Sequence, residues 1–154
     1  MTTVLGRFAH HTDEKVERLA DIPLFRDVSR RQLESMAPYL DMVSVGPDTT
    51  LVREGRHNGA FWVLLEGEVE LWTEGGDRHV LGPGEVFGVS SMLDGRPAVA
   101  TVRTLTPIRA LVASAAQFRG LKSNRLVAAR LLSIALRRIR ESLEAQQRQL
   151  LPAA

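Results

Sequence analysis

At 154 residues, with 44% hydrophobic and 25% charged residues, the chain has room for one domain with a proper core and is excluded from the disordered class. It has no cysteine, which removes disulfides, thiolate nucleophiles and cysteine-based zinc sites and makes a reducing cytoplasm the simplest compartment. The net charge of +2 is uneven: residues 119–154 carry +6 and residues 1–118 carry −4, a basic tail that could meet nucleic acid, an acidic partner or an anionic membrane, although a solvated helix face is the commoner cause.

The N-terminus has no charged start followed by an apolar run, and no stretch approaches a membrane span. Residues 1–12 read as a flexible segment. His10 and His11 precede Asp13, but adjacent histidines point different ways on any regular element, so no metal site is expected there. Asp13 to Ala20 carries Val16 and Leu19 on one side, and Asp21-Ile22-Pro23 interrupts it. Ser29-Arg30-Arg31-Gln32 is a capping box, flanked by Val28 and Leu33 as a hydrophobic staple. Leu33, Met36, Ala37 and Leu40 follow at helical spacing.

From Asp41 to Ala113 the pattern changes to short strands with turn residues between them. Met42, Val43 and Val45 lead to the turn Gly46-Pro47-Asp48, and Thr50 to Val52 forms the next strand. Asn58-Gly59 is a turn signal. Phe61 to Leu65 is a continuous apolar run, as expected of a strand covered on both faces, whereas Glu68 to Leu71 alternates. Glu74-Gly75-Gly76-Asp77 and Gly82-Pro83-Gly84 are further turns, His57 and His79 stand singly near turns as surface residues, and strands follow over Val99–Thr104 and Ile108–Ala113. Many short strands at regular spacing mean a barrel, roll or sandwich.

The last third is helical. Ser114-Ala115-Ala116-Gln117 is a second capping box, with Phe118 and Leu121 as its buried residues. After Ser123-Asn124 a helix can run to Leu150, spanning roughly 40 Å against a domain about 30 Å across, so part of it is expected to project. Its apolar stripe is Leu132, Leu136, Ile139, Leu143 and Leu150, and Val127, Leu131 and Ile134 form a second row. An overhanging stripe needs a partner, and a second copy of the chain is the simplest. Residues 13–122 are thus one unit and 123–154 a dimerisation helix.

Short helices, about eight strands and a long helix resemble the cyclic nucleotide-binding domain family in order. Local motifs carry the resemblance: Ile22-Pro23-Leu24-Phe25 with Val28-Ser29, Gly46-Pro47 through Gly55, Phe61 to Val69, and Leu81-Gly82-Pro83-Gly84-Glu85-Val86-Phe87-Gly88. It covers roughly residues 15–145 and implies a mainly β fold with flanking helices, a double-stranded β-helix or jelly roll, followed by a long C-terminal helix. It also implies a cassette of Phe-Gly-Glu, a short helix, then Pro-Arg-Ser/Thr-Ala, in which Glu accepts from the ribose hydroxyl, Arg pairs with the cyclic phosphate and Ser/Thr adds a hydroxyl. Here Gly88 and Pro97 are kept, but Val89 stands at the Glu position, Ala98 at the Arg position and Val99 at the Ser/Thr position. Glu85 lies four residues early and Arg96 misses by two.

A phosphate entering such a niche must be desolvated with no guanidinium to pair with. Losing two hydrogen bonds to charged groups removes roughly 3–6 kcal/mol, taking a micromolar site towards millimolar. Ser90 and Ser91 remain where a short helix begins, and Arg96 could swing in; the bland alternative is that Ser90 caps the helix and Arg96 lies in solvent. The expected ligand pocket is therefore Gly88, Val89, Ser90, Ser91, Arg96, Ala98 and Val99, with apolar walls and no cation.

No nucleophile motif, phosphate-cradling loop or spaced carboxylate pair suggests catalysis, and no cofactor or metal is expected. Arg130, Arg137, Arg138, Arg140 and Arg148 raise a nucleic-acid hypothesis; proteins resembling catabolite activators read DNA with a helix-turn-helix domain after this helix. Here the chain stops at Ala154, so sequence-specific DNA binding is not expected, and a solvated flank beside a dimer seam is favoured. Two functions survive. The first is a non-catalytic regulatory or interaction module that dimerises through the helix, engages another protein and has lost ordinary cAMP or cGMP binding. The alternative is a sensor binding a cyclic nucleotide or another small ligand by non-standard contacts.

Overall fold

The computed structural model describes residues 13–151, so segment 1–12, and with it His10 and His11, lies outside the described residues. Helix α1 covers residues 13–20 and a 3₁₀ turn covers Pro23–Phe25. Helix α2, Arg30–Met36, opens on the expected capping box: Ser29 Oγ accepts from Gln32 N, and Gln32 Oε1 accepts from Ser29 N. A second 3₁₀ turn, Ala37–Tyr39, leads into the strands.

Eight strands follow: β1 Asp41–Val45, β2 Thr50–Val52, β3 Ala60–Glu66, β4 Val69–Trp72, β5 Arg78–Leu81, β6 Val86–Phe87, β7 Thr101–Thr104 and β8 Ile108–Ser114. They form two antiparallel sheets, ordered β1-β8-β3-β6 and β2-β7-β4-β5. Helix α3, Val89–Asp94, sits between β6 and β7; α4, Ala115–Leu121, and α5, Arg125–Leu150, close the chain. The fold is the expected β-roll with flanking helices.

The central strands explain the continuous apolar run. In β3, Phe61, Val63 and Leu65 face a core shared with the helices, while Leu64 faces a second core between the sheets. In β8, Leu111 and Ala113 join the first core, and Ile108 and Ala110 the second. Side chains alternate with period two, so a strand covered on both faces needs apolar residues at every position. Phe61 and Phe118 of α4 meet with ring centroids 5.3 Å apart, which seats the second capped helix on the first sheet.

Asn124 caps α5, its side-chain oxygen accepting from Leu126 N and Val127 N at 3.1 Å each. The helix does not project. Val127, Leu131, Ala135 and Ala145 are buried, and polar contacts tie it down at beginning, middle and end. Arg130 Nη1 donates to the Leu24 carbonyl at 3.1 Å and to that of Arg26, and its Nη2 lies 3.7 Å from Asp27. Arg138 Nη2 donates to the Val86 carbonyl at 2.9 Å. Arg148 approaches Asp77 at 3.8 Å, and Gln149 Nε2 donates to Glu74 O at 3.2 Å. The expectation of an overhang fails because the helix is laid along the roll, with the β4–β5 turn reaching its far end. Gly76 makes this approach possible: a Cβ there would lie 3.2 Å from that of Ala145.

The reading of the helix arginines as a solvated flank is corrected for Arg130 and Arg138, which are half-buried against the roll; Arg137, Arg140 and Arg148 are exposed, Arg148 reaching Asp77 from the surface. On the opposite face Leu132, Leu136 and Leu143 are 53–55% exposed and Ile139 is half-buried. Which row docks is directly testable. Leu131→Ala should lower unfolding free energy by about 2–5 kcal/mol in urea denaturation, whereas Leu132→Ala at low protein concentration should change it by no more than about 0.5 kcal/mol.

Candidate functional site

The cassette occupies the gap between β6 and β7 and is covered by α5. Gly88 is the N-cap of α3 and adopts φ +81°. A Cβ there would sit 2.5 Å from the Ala60 carbonyl oxygen, so both its backbone conformation and its closeness to β3 require glycine. The expectation that Ser90 caps α3 is not met: the helix begins at Val89, and Gly88 offers no side-chain cap. Ser90 and Ser91 lie inside its first turn, both buried.

Asn58 holds this turn in place. It is buried, its amide nitrogen lies 2.9 Å from Ala60 O, 3.2 Å from Gly88 O and 3.0 Å from Ser91 Oγ, and its amide oxygen accepts from Ala60 N. The sequence pattern assigned Asn58-Gly59 to a turn; the structure instead makes Asn58 a brace joining the start of β3 to the cassette. Its side chain satisfies backbone groups at both ends, a long-range role that dipeptide turn statistics do not register.

Val89, Ala98 and Val99 differ in their surroundings. Val89 is 3% exposed and belongs to the core shared with the helices. Ala98 is 7% exposed and joins the core between the sheets. Its backbone is fully engaged, its N–H donating to Arg56 O at 2.9 Å and its carbonyl accepting from Gly55 N at 2.8 Å. Val99 is half-buried. Arg96 does not swing in. It is exposed, its backbone N–H donates to Asp94 Oδ1 at 2.9 Å, and its side chain does not line the cleft. Glu85 serves its own turn, accepting from Gly82 N at 2.6 Å.

Two adjoining cavities remain. The inner one, of about 30 Å³, is walled by Val89, Ser90, Ser91, Ala98 and Val99 and by Val52 and Leu71 from the strands. That is room for one or two water molecules. The outer one, of about 190 Å³, lies between β4–β5 and α5, with Thr73, Asp77 and His79 on one side and Glu141, Glu144 and Arg148 on the other.

Arg138 lines both cavities. The expectation of a niche without a cation is therefore corrected: no cassette residue supplies one, but the C-terminal helix does. Burial pushes the guanidinium pKa down from its ordinary value; Glu141 and Glu85 oppose this, and Arg137 adds to it. The group remains protonated at any physiological pH. A signal for it was present in the chain, since Arg138 continues the helical row Val127, Leu131, Ile134 rather than the Leu132 stripe. Among the described residues no cluster of histidine, cysteine or carboxylate side chains could hold a metal ion, and no helix is long and apolar enough to cross a membrane.

Comparison with known proteins agrees with this architecture. Residues 42–125 match the family model described as cyclic nucleotide-binding domain. The cAMP-dependent protein kinase regulatory subunit of Emericella nidulans is 29% identical over 93 residues, covering 59% of this chain and 23% of that protein. A solved cAMP-bound PfPKA-R superposes with a TM-score of 0.76 at 16% identity, covering 94% of this chain and 49% of the other. The catabolite activator protein of Thermus thermophilus gives 0.68 at 25% identity, covering 82% and 63%. The chain spans about a quarter of the length of the kinase regulatory subunit it matches.

The geometry around Gly88 predicts a steric cost independent of any ligand. Gly88→Ala should destabilise the fold by about 2–4 kcal/mol in denaturant titration, from left-handed strain plus the clash with β3.

Proposed function

From the premise that this chain belongs to the cyclic nucleotide-binding domain family, we propose that it is a non-catalytic regulatory module whose roll has lost ordinary cAMP and cGMP binding and whose C-terminal helix closes the emptied cleft. The observation that carries the reading is the cassette itself. Val89, Ala98 and Val99 present only hydrocarbon where the resemblance calls for a carboxylate, a guanidinium and a hydroxyl, and the inner cavity of about 30 Å³ is too small for a nucleotide unless α5 moves. A buried phosphodiester would meet no charged cassette residue, and its desolvation would go unrelieved at that wall.

The module acts on another protein, in a cytoplasmic setting consistent with the absence of cysteine. A second copy of the chain is the proposed occupant of the outward face of α5. Leu132, Leu136, Ile139, Leu143 and Leu150 recur at intervals of four, three, four and seven, the spacing of a two-helix seam, while the roll already covers the opposite row.

A specific observation favours the alternative function, a sensor using non-standard contacts. Arg138 brings a guanidinium to the cleft from outside the cassette.

Isothermal titration of the full chain with cAMP and cGMP should give affinities no tighter than about millimolar. Micromolar heats would overturn the loss of nucleotide binding. Ala98→Arg combined with Val99→Thr, leaving the deeply packed Val89 in place, should raise cAMP affinity at least about tenfold. Light scattering should find a dimer that Leu136→Glu converts to monomer; a monomeric wild type at high concentration contradicts the seam.

A further inference from the structure

We propose that Arg138 is an anion-recognising group, and that the cleft between α5 and the cassette takes a small ligand with one anionic head, a phosphodiester or a carboxylate, in preference to a polyanion. The inference rests on the cleft and its cation, and does not require that cyclic-nucleotide affinity be lost.

Three arginines of α5 make polar contacts with the roll, and they are not equivalent. Arg130 and Arg148 each lie within 4.0 Å of a carboxylate, those of Asp27 and Asp77. Arg138 has no ion pair among the described residues. It is half-buried, burial lowers its pKa, and its hydrogen bond from Nη2 to the Val86 carbonyl engages one of the five N–H donors a guanidinium carries. A guanidinium partly stripped of water, with Glu141 and Glu85 near enough to act on it but neither paired with it within 4.0 Å, is incompletely compensated. A monoanion in the cavity would relieve that state, and a planar fork is suited to two parallel bonds with phosphate or carboxylate oxygens.

The surroundings set the ligand class. On the cassette side the wall carries the buried serines Ser90 and Ser91, whose hydroxyls can add neutral hydrogen bonds. On the outer side Glu141 and Glu144 of α5 and Asp77 after β4 share the larger cavity with Arg138, Arg148 and His79. A second or third negative charge on the ligand would face these carboxylates, whereas a tail with hydrogen-bond donors would be accepted. Arg138 belongs to α5, so a ligand held by it acts on the helix directly. Occupancy would then be passed to whatever engages the outer face of α5.

Thermal unfolding of the full chain at constant ionic strength tests this, with sodium chloride as reference and acetate, dimethyl phosphate, cAMP and pyrophosphate as probes. At least one monoanion should raise Tm by about 3–5 °C at roughly ten times its Kd, with pyrophosphate giving less. Acetate and dimethyl phosphate separate a carboxylate from a phosphodiester preference. Arg138→Met should abolish the shift while leaving the ligand-free Tm equal or higher, since the desolvation cost of a half-buried guanidinium outweighs its one bond to the Val86 carbonyl; Arg138→Lys should retain a reduced shift. No monoanion response in the wild type, or the same response in Arg138→Met, overturns the proposal. So does a ligand-free Tm that falls in Arg138→Met without any anion effect in the wild type, which would make Arg138 a helix-pinning group alone. A shift confined to cAMP with micromolar affinity would uphold Arg138 and overturn the loss of nucleotide binding.

Discussion

The structure depends on the seating of one long amphipathic helix across a β-roll. Most of the stability of a helix such as the 26-residue α5 comes from the amphipathic face it buries and not from intrinsic propensity. In α5 that face carries Val127, Leu131 and Ile134 in its first half, then narrows to Ala135 and Ala145. The small residues allow close approach, and the arginines at 130, 138 and 148 supply the reach that alanine lacks. Two of these end at exposed carboxylates, pairs worth about 1 kcal/mol or less each. The third is half-buried beside the cassette, where it bonds the Val86 carbonyl and lines the cleft.

Moving the cation from cassette to helix changes the logic of the site. A cassette arginine would report ligand to the roll first and to the helix through the roll. With Ala98 and Val99 in the cassette and Arg138 on α5, the cation that lines the cleft belongs to the helix and not to the roll. The brace formed by Asn58, Gly88 and Ser91 keeps the α3 turn fixed against β3 whether or not the cleft is filled, since those contacts are internal to the protein.

Much of the fold was legible because its determinants are local. Both capping boxes are four-residue patterns with a fixed hydrogen-bond geometry, and they occur where the spacing put them. The uninterrupted run from Phe61 to Leu65 announced a strand with a core on each side, and β3 has that arrangement. The places of Val89, Ala98 and Val99 around the inner cavity follow their offsets from Gly88 and Pro97. The seating of α5 was not legible, because helix length fixes span but not direction, and direction is set by contacts more than a hundred residues apart, such as Arg130 with Leu24. Arg138 was missed by treating the tail's basic residues as one charge run instead of sorting them by helical face. Asn58 was missed because a turn signal and a buried brace use the same side chain.

Amide hydrogen exchange along α5 tests the account most directly, since a docked helix and a projecting one differ in protection from Ala135 onward. The account predicts that amides from Leu131 to Ala145 exchange as slowly as those of β3 and β8, with fraying confined to the final turn. Fast exchange beyond Ala135 under the same conditions would mean that the helix stands away from the roll and leaves the cleft open, and would contradict it.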